Sequence, residues 1–539
     1  MINFIMEYIK IYKLKITVYL IITFVLIGLS LIYPYIQSLF INGIVYSPSY
    51  DFLFKITILI LIISLINIIL SYFNNLLLVE LNNKISFKLS NNVIKQLEKI
   101  NILYLSKYDS AYLAERINND CNTLISFFLT NFIKIFSSGF TFLFCLGLLV
   151  NNYGVKLMLL IILILPIYPL IYTLLKKTLY NRNLDLVEKQ GEFFSILNSI
   201  FKTIKSIKIK VLFDEREKKY KEGFSRLIES IISFNKVSYI FFSINNSCNS
   251  IFNIIIMFFI GVKIINGEME IGDFILITSY CNIVVSSIEY YLSLGESYQR
   301  TKVAYTRLKE FFDIPVEVNG ELEIKEINDI TVKNLSFKYY SGNTLIKDFS
   351  YVFKKGFIYA ITGCNGSGKS TLTNLIIGML NSNYTGEIYF NNIDIQNINL
   401  YSARKKLITF VEQEPFLSND TIYNNLIFNI DKVDFDLLNK LLEIFNLCDT
   451  IELLPDGINS IVNDNIKNLS GGERQKISII NSLMSQANVI VLDEPTAALD
   501  ICSIKRLNEV LGILKLNKII IIVSHDEEFY TTCDYIIKI

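Results

Sequence analysis

Residues 358–371 read "IYAITGCNGSGKST". The opening five residues have the apolar, β-branched and aromatic make-up of a buried strand, and the glycine-rich run after them breaks it. That run fits the pattern G-x-x-x-x-G-K-[ST] through Gly363, Gly368, Lys369 and Ser370. Asn365, Gly366, Ser367 and Thr371 complete a loop whose backbone N–H groups can wrap a phosphate. The helix expected to follow points its positive end at the same place. Lys369 is placed to reach the outer phosphates of a nucleotide, and Ser370 to hold Mg²⁺. The plain alternative is a chance glycine turn, and a strand before with a helix after weighs against it.

Working outward, residues 489–495 read "VIVLDEP", an apolar strand ending in two carboxylates. Asp493 at the strand end suits Mg²⁺, directly or through water. Glu494 then projects toward an attacking water as general base. A lone Asp-Glu pair at a strand end is common, but here it accompanies a phosphate loop. The runs "FIYAIT" (357–362), "LITFV" (407–411), "VIVLD" (489–493) and "IIIIVS" (519–524) are of strand length, with helical stretches between them. That alternation predicts an α/β domain with a mainly parallel sheet. Just beyond the last run stands His525, the only histidine in the chain. By itself it reads as an accident of composition. Behind the fourth strand of such a sheet it gains the chance to act on phosphate chemistry.

The first 300 residues follow another grammar. The 539-residue chain is 52% hydrophobic and only 19% charged, a membrane-protein balance. Six apolar runs, near 16–41, 55–79, 127–150, 155–176, 240–265 and 271–298, each supply the ~20 helical residues that cross a bilayer. The first is too long for a signal peptide and has no small-residue cleavage pattern, so a retained helix is expected. Lys10, Lys13 and Lys15 precede span 1; Lys84, Lys88, Lys95 and Lys99 follow span 2; Lys176, Lys177 and Arg182 follow span 4; Arg300, Lys302, Arg307 and Lys309 follow span 6. The outer loops carry at most one basic residue each, so both termini are expected in the cytosol, on a multi-pass protein of the plasma membrane. The inner connections near 80–126 and 177–239 are long and helix-like, so the helices should extend beyond the bilayer. The net charge of +1 gives no reason to expect nucleic acid. The eight scattered cysteines show no metal or disulfide spacing and read as reduced thiols. The segment "DIPVEVNGE" (313–321) reads as a linker, giving a six-helix membrane domain over 1–315 and a cassette over 322–539.

Polar residues recur at steps of three and four along several spans: Ser64, Asn67, Ser71, Asn74 on span 2; Asn131, Lys134, Ser138, Thr141, Cys145 on span 3; Ser279, Asn282, Ser286, Glu289, Ser293, Glu296 on span 6. Each set falls on one helix face, turned from lipid toward the bundle or a wet cavity. For any single residue, ordinary interhelical hydrogen bonding is the simpler account. Together the stripes favour a hydrated path, with Tyr33, Gln37, Asn249, Asn253 and Glu289 as lining candidates.

At "NLSGGERQ" (468–475) the cassette resembles the ATP-binding cassette (ABC) transporters, whose signature motif it matches. Further resemblances are Tyr339 in "FKYY" to the adenine-stacking aromatic, Gln413 in "VEQEPFL" to the Q-loop glutamine, Asp500 in "AALD" to the D-loop, and His525 to the switch histidine. "YDSAYLAERINND" and "INGEMEIGDF" look like exporter-type half-transporters. The resemblance implies an ATP hydrolase with Mg²⁺: Glu494, His525, Lys369 and Gln413 in catalysis; Ser370, Gln413 and Asp493 toward the metal; Tyr339, the 363–371 loop and Asp500 toward ATP. Ser470, Gly471 and Gly472 would close over ATP held by another subunit. Two composite sites then require a dimer, a second copy of this chain or a heterodimer partner, among membrane lipids. Glu473 stands where glutamine is usual in the signature. In the exporter X-loop, aligned with "SIVNDNI", Asn463 replaces glycine and Asp464 the glutamate.

The reading this supports is export of a peptide or another amphipathic molecule, coupled through inner segments near 105–118 and 205–220 that dock around Gln413. No peptidase-like segment stands ahead of the first span, so leader cleavage is not expected of these residues. Rival readings are a lipid or multidrug exporter, a siderophore-type importer, and an ATP-regulated sensor or channel component.

Overall fold

The computed structural model describes residues 1–46, 49–105, 110–153, 166–339, 344–381, 384–462, 469–496, 499–525 and 532–539. It divides into two compact units, one of Met1–Lys95 with Ser110–Asp313, the other of Gln96–Asp109 with Ile314–Ile539.

The chain first forms α1 (Ile2–Lys10), α2 (Lys13–Tyr46), α3 (Tyr50–Leu97), the single turn α4 (Ile102–Leu105), α5 (Ser110–Tyr153), α6 (Ile167–Lys202), α7 (Ile204–Lys210), α8 (Phe213–Ile265) and α9 (Ile271–Asp313). Among the described residues five helices are long and apolar enough to cross a membrane. The expected fourth span, 155–176, lies partly outside the described residues, and α6 carries its later part. At 1.5 Å per residue the 48 residues of α3 reach about 72 Å, more than twice a hydrocarbon core of about 30 Å. The inner connections are therefore continuations of the spans.

Packing in this unit centres on α9, which lies against α5 and α2, while α6 pairs with α8. Ile277, Cys281, Val284 and Val285 of α9 meet Leu149 of α5, Ile256 of α8 and Leu31 of α2 in an apolar core. At the start of α9, "INGEMEIGDF" has a packing role. A side chain at Gly272 would collide with the Ser38 carbonyl and Asn42, and the Gly272 N–H donates to Asn42 Oδ1 at 2.6 Å. Asp273 accepts from the Tyr153 hydroxyl at 2.7 Å, so α2, α5 and α9 are tied at this end. At the other end Arg116, from "YDSAYLAERINND", is buried. It donates to Glu310 Oε2 at 2.5 Å and to the Arg307 carbonyl at 2.8 Å, and lies over the Phe311 ring at 4.6 Å. Arg116 is the buried partner and Glu310 the exposed one, so the cost of breaking the pair falls on the arginine.

The polar stripes have different fates. On span 3, Asn131 accepts from the Tyr290 hydroxyl at 3.1 Å, Thr141 meets Ser287 at 3.4 Å, Lys134 lies over the Tyr290 ring and Cys145 is in the core. On span 2, Asn74 accepts from Thr23 of α2 at 3.2 Å, and Ser71 donates to Asn67 at 3.3 Å. On α9, Asn282, Ser286 and Ser293 are exposed, with Ser279 and Glu289 half-buried beside them, opposite the face that fills the core. The Glu296 side chain lies outside the described residues.

The second unit adds β1 (Asp329–Lys338), β2 (Thr344–Lys354), β3 (Ile358–Thr362), α10 (Lys369–Ile376), β4 (Tyr384–Phe390), β5 (Ile393–Asp394), α11 (Leu400–Lys406), β6 (Ile408–Val411), α12 (Ile422–Leu426), α13 (Phe435–Ile444), α14 (Cys448–Glu452), α15 (Gly471–Met484), β7 (Val489–Asp493), α16 (Ile501–Leu514), β8 (Ile519–Val523) and β9 (Tyr535–Lys538). Five parallel strands run in the order β6-β7-β8-β3-β9, all four strand-length runs among them. Every residue of β7 and β8 is buried, as expected for a sheet covered on both faces. A second sheet, β2-β1-β4-β5, is antiparallel and is not evident from the apolar runs.

Two boundaries differ from the sequence reading, which gave residues 1–315 to one membrane block. Gln96–Asp109 groups with the cassette, because Leu103 is buried in the cassette core and Ile100 bridges Val316. The stretch 313–321 is also no slack linker. Glu317 N–H donates to the Lys99 carbonyl at 2.7 Å, its carboxylate holds Arg404 at 2.6 Å, and a Cβ on Gly320 would run into the Asn397 backbone.

Candidate nucleotide site

The phosphate loop leaves the C-terminal end of β3. A Cβ on Gly363 would lie 2.7 Å from both the Ile539 carbonyl and Ser367 Oγ. Gly366 and Gly368 have φ of 82° and 104°, the left-handed region that favours glycine. Gly368 is the N-cap of α10 and offers no side chain to the first-turn N–H groups, which leaves them for an anion. Lys369 is buried and bends back over the loop, its Nζ donating to the Gly363 and Cys364 carbonyls at 3.1 and 3.2 Å. Asn365 and Gly366 are exposed at the loop's crest, and Ser367 Oγ is buried without a partner. The loop is a ring of donors with the Lys369 ammonium held over its own carbonyls.

Next to it, Ser370 hydrogen-bonds the Asp493 carboxylate at the end of β7. Asp493 is buried, and burial raises its pKa above the ordinary carboxylate range, with the Ser370 bond pulling the other way. Its Oδ1 is buried and, among the described residues, has no hydrogen-bond partner. A buried carboxylate oxygen left open beside a serine hydroxyl is the hard-oxygen donor set that fits Mg²⁺.

Glu494 is held from several sides. Its backbone has φ 47°, a conformation that costs a non-glycine residue about 1–2 kcal/mol. Its N–H donates to the Val523 carbonyl at 2.8 Å, and its carbonyl accepts from Gln475 Nε2 at 3.1 Å. Its carboxylate accepts from Gln413 Nε2 at 2.7 Å and lies 3.4 Å from His525 Nε2. Topology explains the meeting: Gln413, Glu494 and His525 follow the C-terminal ends of β6, β7 and β8, three neighbours in one parallel sheet. Crevices at that edge are where open parallel sheets bind ligands. A carboxylate so fixed can accept a proton from water without reorganising.

Sequence reasoning missed Gln475. It belongs to the signature stretch, yet it is buried and points at Glu494 rather than outward. Buried amides need partners, and this one holds the strained peptide. Sequence also gave no sign of Arg404, which with Ile102, Glu412, Gln413, Ser370 and Asp493 lines a cavity of about 520 Å³. Ile102 belongs to α4, slightly ahead of the expected docking segment 105–118, of which 106–109 lie outside the described residues.

The remaining expected residues are placed as follows. Tyr339 is 40% exposed, packs edge-on against Phe337 and meets Thr371 Oγ1 at 3.0 Å through its hydroxyl. Its ring is open to solvent on a face that could stack a base. Ser470 caps α15 in a capping box: Ser470 Oγ accepts from Glu473 N–H at 3.3 Å and Glu473 Oε2 from Ser470 N–H at 2.5 Å. The Glu473 departure thus has a structural use. Gly471 and Gly472 open that helix, and a Cβ on Gly471 would meet nothing. Among the described residues no hydrogen bond joins Ser470 to the phosphate loop. Asp500 caps α16, accepting from Ser503 N–H and Oγ, both at 2.8 Å, and from Lys476 of α15 at 3.1 Å. Those bonds, the Ser503 N–H foremost, hold its carboxyl well below the usual range. Asn463 and Asp464 lie outside the described residues.

Residues 16–288 match the ABC transporter transmembrane region, and residues 346–497 match the ABC transporter family. The transport/processing ATP-binding protein ComA of Streptococcus pneumoniae is 24% identical over 412 residues, 75% of this chain and 57% of that protein. The pediocin PA-1 transport/processing ATP-binding protein PedD of Pediococcus acidilactici is 27% identical over 389 residues, 71% of this chain and 54% of that one. The chain therefore spans a little over half the length of these relatives. The solved structure of a bacterial Atm1-family ABC exporter with ATP bound shares the fold, with TM-score 0.86 and 15% identity over 98% of this chain and 93% of the other. The chain belongs to the ABC transporter family, with the family's transmembrane region and its cassette on one polypeptide.

Proposed function

We propose that the chain is an exporter half-transporter that works as a dimer and uses ATP to move a peptide or other amphipathic molecule out of the cytosol. The observation that carries the reading is the Glu494 carboxylate, fixed between Gln413 and His525 beside the Ser370–Asp493 pair. In this reading Gly363–Thr371 cradle the phosphates of ATP, and Lys369 exchanges its loop carbonyls for them. Ser370, Asp493 and Gln413 hold Mg²⁺, which when bound offsets charge on the phosphates. Glu494 takes the proton of the attacking water, and His525 orients that water and the carboxylate. Tyr339 stacks on the base. Ser470, Gly471, Gly472 and Asp500 meet ATP bound by the second subunit.

A dimer is supported from two directions. One cassette has one phosphate loop and one signature, unconnected to each other by hydrogen bonds among the described residues. The exposed polar face of α9 lies at bilayer depth, where lipid is an unsuitable neighbour and a second subunit or a water-filled path is a suitable one. The α4 turn beside Gln413 is suited to transmit motion between cassette and membrane helices. The relatives named for transport and processing, one of them of pediocin PA-1, support the peptide reading. Both termini and the cassette face the cytosol in this scheme, in line with the lysine-rich inner segments.

The test is ATP-dependent uptake of labelled peptides by inside-out vesicles carrying the chain, beside nanodisc ATPase assays with peptides, lipids and drugs. Peptide uptake with stimulated turnover is expected. Stimulation by lipids alone, extrusion from the vesicles, or ion currents without substrate movement would each replace this reading with one of its rivals.

A further inference from the structure

The membrane spans contain three acidic residues, Asp273, Glu289 and Glu296, all on α9. Asp273 stands at the first turn and is bound by Tyr153 and by the Glu270 N–H. Glu289 lies about 24 Å further along the axis at 1.5 Å per residue, in the half of the bilayer near the cytosol if the termini are cytosolic. Among the described residues its carboxylate makes no hydrogen bond and no ion pair. The lysine of the neighbouring span, Lys134, lies over the Tyr290 ring instead. Asn282, two turns away on the same face, is exposed and likewise has no side-chain hydrogen bond among the described residues. Ser286 and Ser293, between and beyond them, turn their hydroxyls to their own helix.

An ionisable side chain costs about 2.5–3.5 kcal/mol at the bilayer centre on insertion scales, and less toward the interface, unless water or a counter-charge receives it. The span-3 stripe avoids that cost by packing. The α9 face does not, and the charge it carries is negative. Resting on the exporter reading above, we propose that this face is a substrate subsite in which Glu289 receives an ammonium or guanidinium group. The transported molecule is then a basic peptide. Asn282 and Ser286, on the same face, supply neighbouring polar contacts. Anionic lipids and acidic peptides would meet an unreceived charge and be disfavoured.

The experiment uses the full chain in nanodiscs and two synthetic peptides of equal length, alike except that lysines in one are glutamines in the other. The readout is the peptide concentration giving half-maximal ATPase stimulation. The intact chain should prefer the lysine peptide by about tenfold, the size of one charge-assisted contact. Glu289→Gln should erase that preference and Glu289→Asp retain part of it, with melting curves verifying that both variants fold. Equal response to the two peptides in the intact chain, or a preference that survives Glu289→Gln, overturns the proposal. So would equal loss of thermal stability in Glu289→Gln and Lys134→Gln with no change in preference, which marks a structural pair between copies. Failure of the peptide reading is told apart by a small aromatic amine and its neutral analogue. If the amine alone stimulates, and only with Glu289 present, the subsite stands and the peptide does not.

Discussion

Glu494 and Glu289 are both carboxylates in demanding surroundings, and the fold treats them in opposite ways. Glu494 is gripped at every polar atom: Val523 on its N–H, Gln475 on its carbonyl, Gln413 and His525 on its carboxylate. Glu289 has no such grip among the described residues and sits on a face the apolar core of α9 leaves uncovered. A group that acts on one fixed reaction is best held in advance, since reorganisation then adds nothing to the barrier. A group that must accept varied ligands is best left open. The comparison therefore separates a reaction site from a recognition site within one chain.

The contrast can be broken at either end. On the held side, His525→Ala should lower ATP turnover by about a hundredfold, within the range for loss of a group assisting proton transfer. Unchanged hydrolysis would return His525 to an accident of composition. Gln475→Met keeps the volume and removes the donor to the strained peptide. It should lower kcat by about tenfold, as one lost hydrogen bond of 1–1.5 kcal/mol allows, with little change in KM for ATP. A rise in KM alone would show that Gln475 serves binding, not positioning. Among the stripe residues that pack, Tyr290→Phe loses its bond to Asn131. It should cost about 0.6 kcal/mol in membrane-domain stability and leave any preference between charged and neutral peptides intact. The smallest effect concerns a buried cation. Lys518 donates to the Ser485 and Ala487 carbonyls, and burial lowers its pKa to about 8. Below that pH it is protonated in both folded and unfolded chains. As pH rises from about 8 toward 10.4 the folded state releases its proton first, so cassette stability should climb in that window. In Lys518→Gln that slope should vanish from a pH series of melting curves.

How far the sequence could be read follows from what each signal encodes. The parallel strands stand out because they are covered on both faces and so consist of unbroken apolar residues. The antiparallel strands β1, β2 and β4 mix buried with exposed positions and include charged residues, so no run marks them. The phosphate loop, Asp493, Glu494 and His525 are legible because their order along the chain is the order of strand ends. That three of those ends are neighbours is a fact of strand order, which no local pattern carries. Gln475 is invisible for the same reason, since its target lies on another element. The polar stripes show a helix face through period alone. Period could not tell that the span-3 face meets Tyr290 and Ser287 while, among the described residues, the α9 face makes no side-chain hydrogen bond to another helix. The tie from Glu317 to Arg404 turns an apparent linker into part of the cassette, a contact set by tertiary packing between residues far apart in sequence.

The most direct test of the account is ATP turnover together with ATP binding in the full-length Glu494→Gln variant, reconstituted in nanodiscs. Gln413 and His525 would still flank the substituted amide, but no carboxylate would remain to take the proton of water. The account predicts nucleotide binding like that of the unaltered chain, turnover reduced by at least about a hundredfold, and an ATP-bound dimer that accumulates. Turnover at the unaltered rate would contradict it.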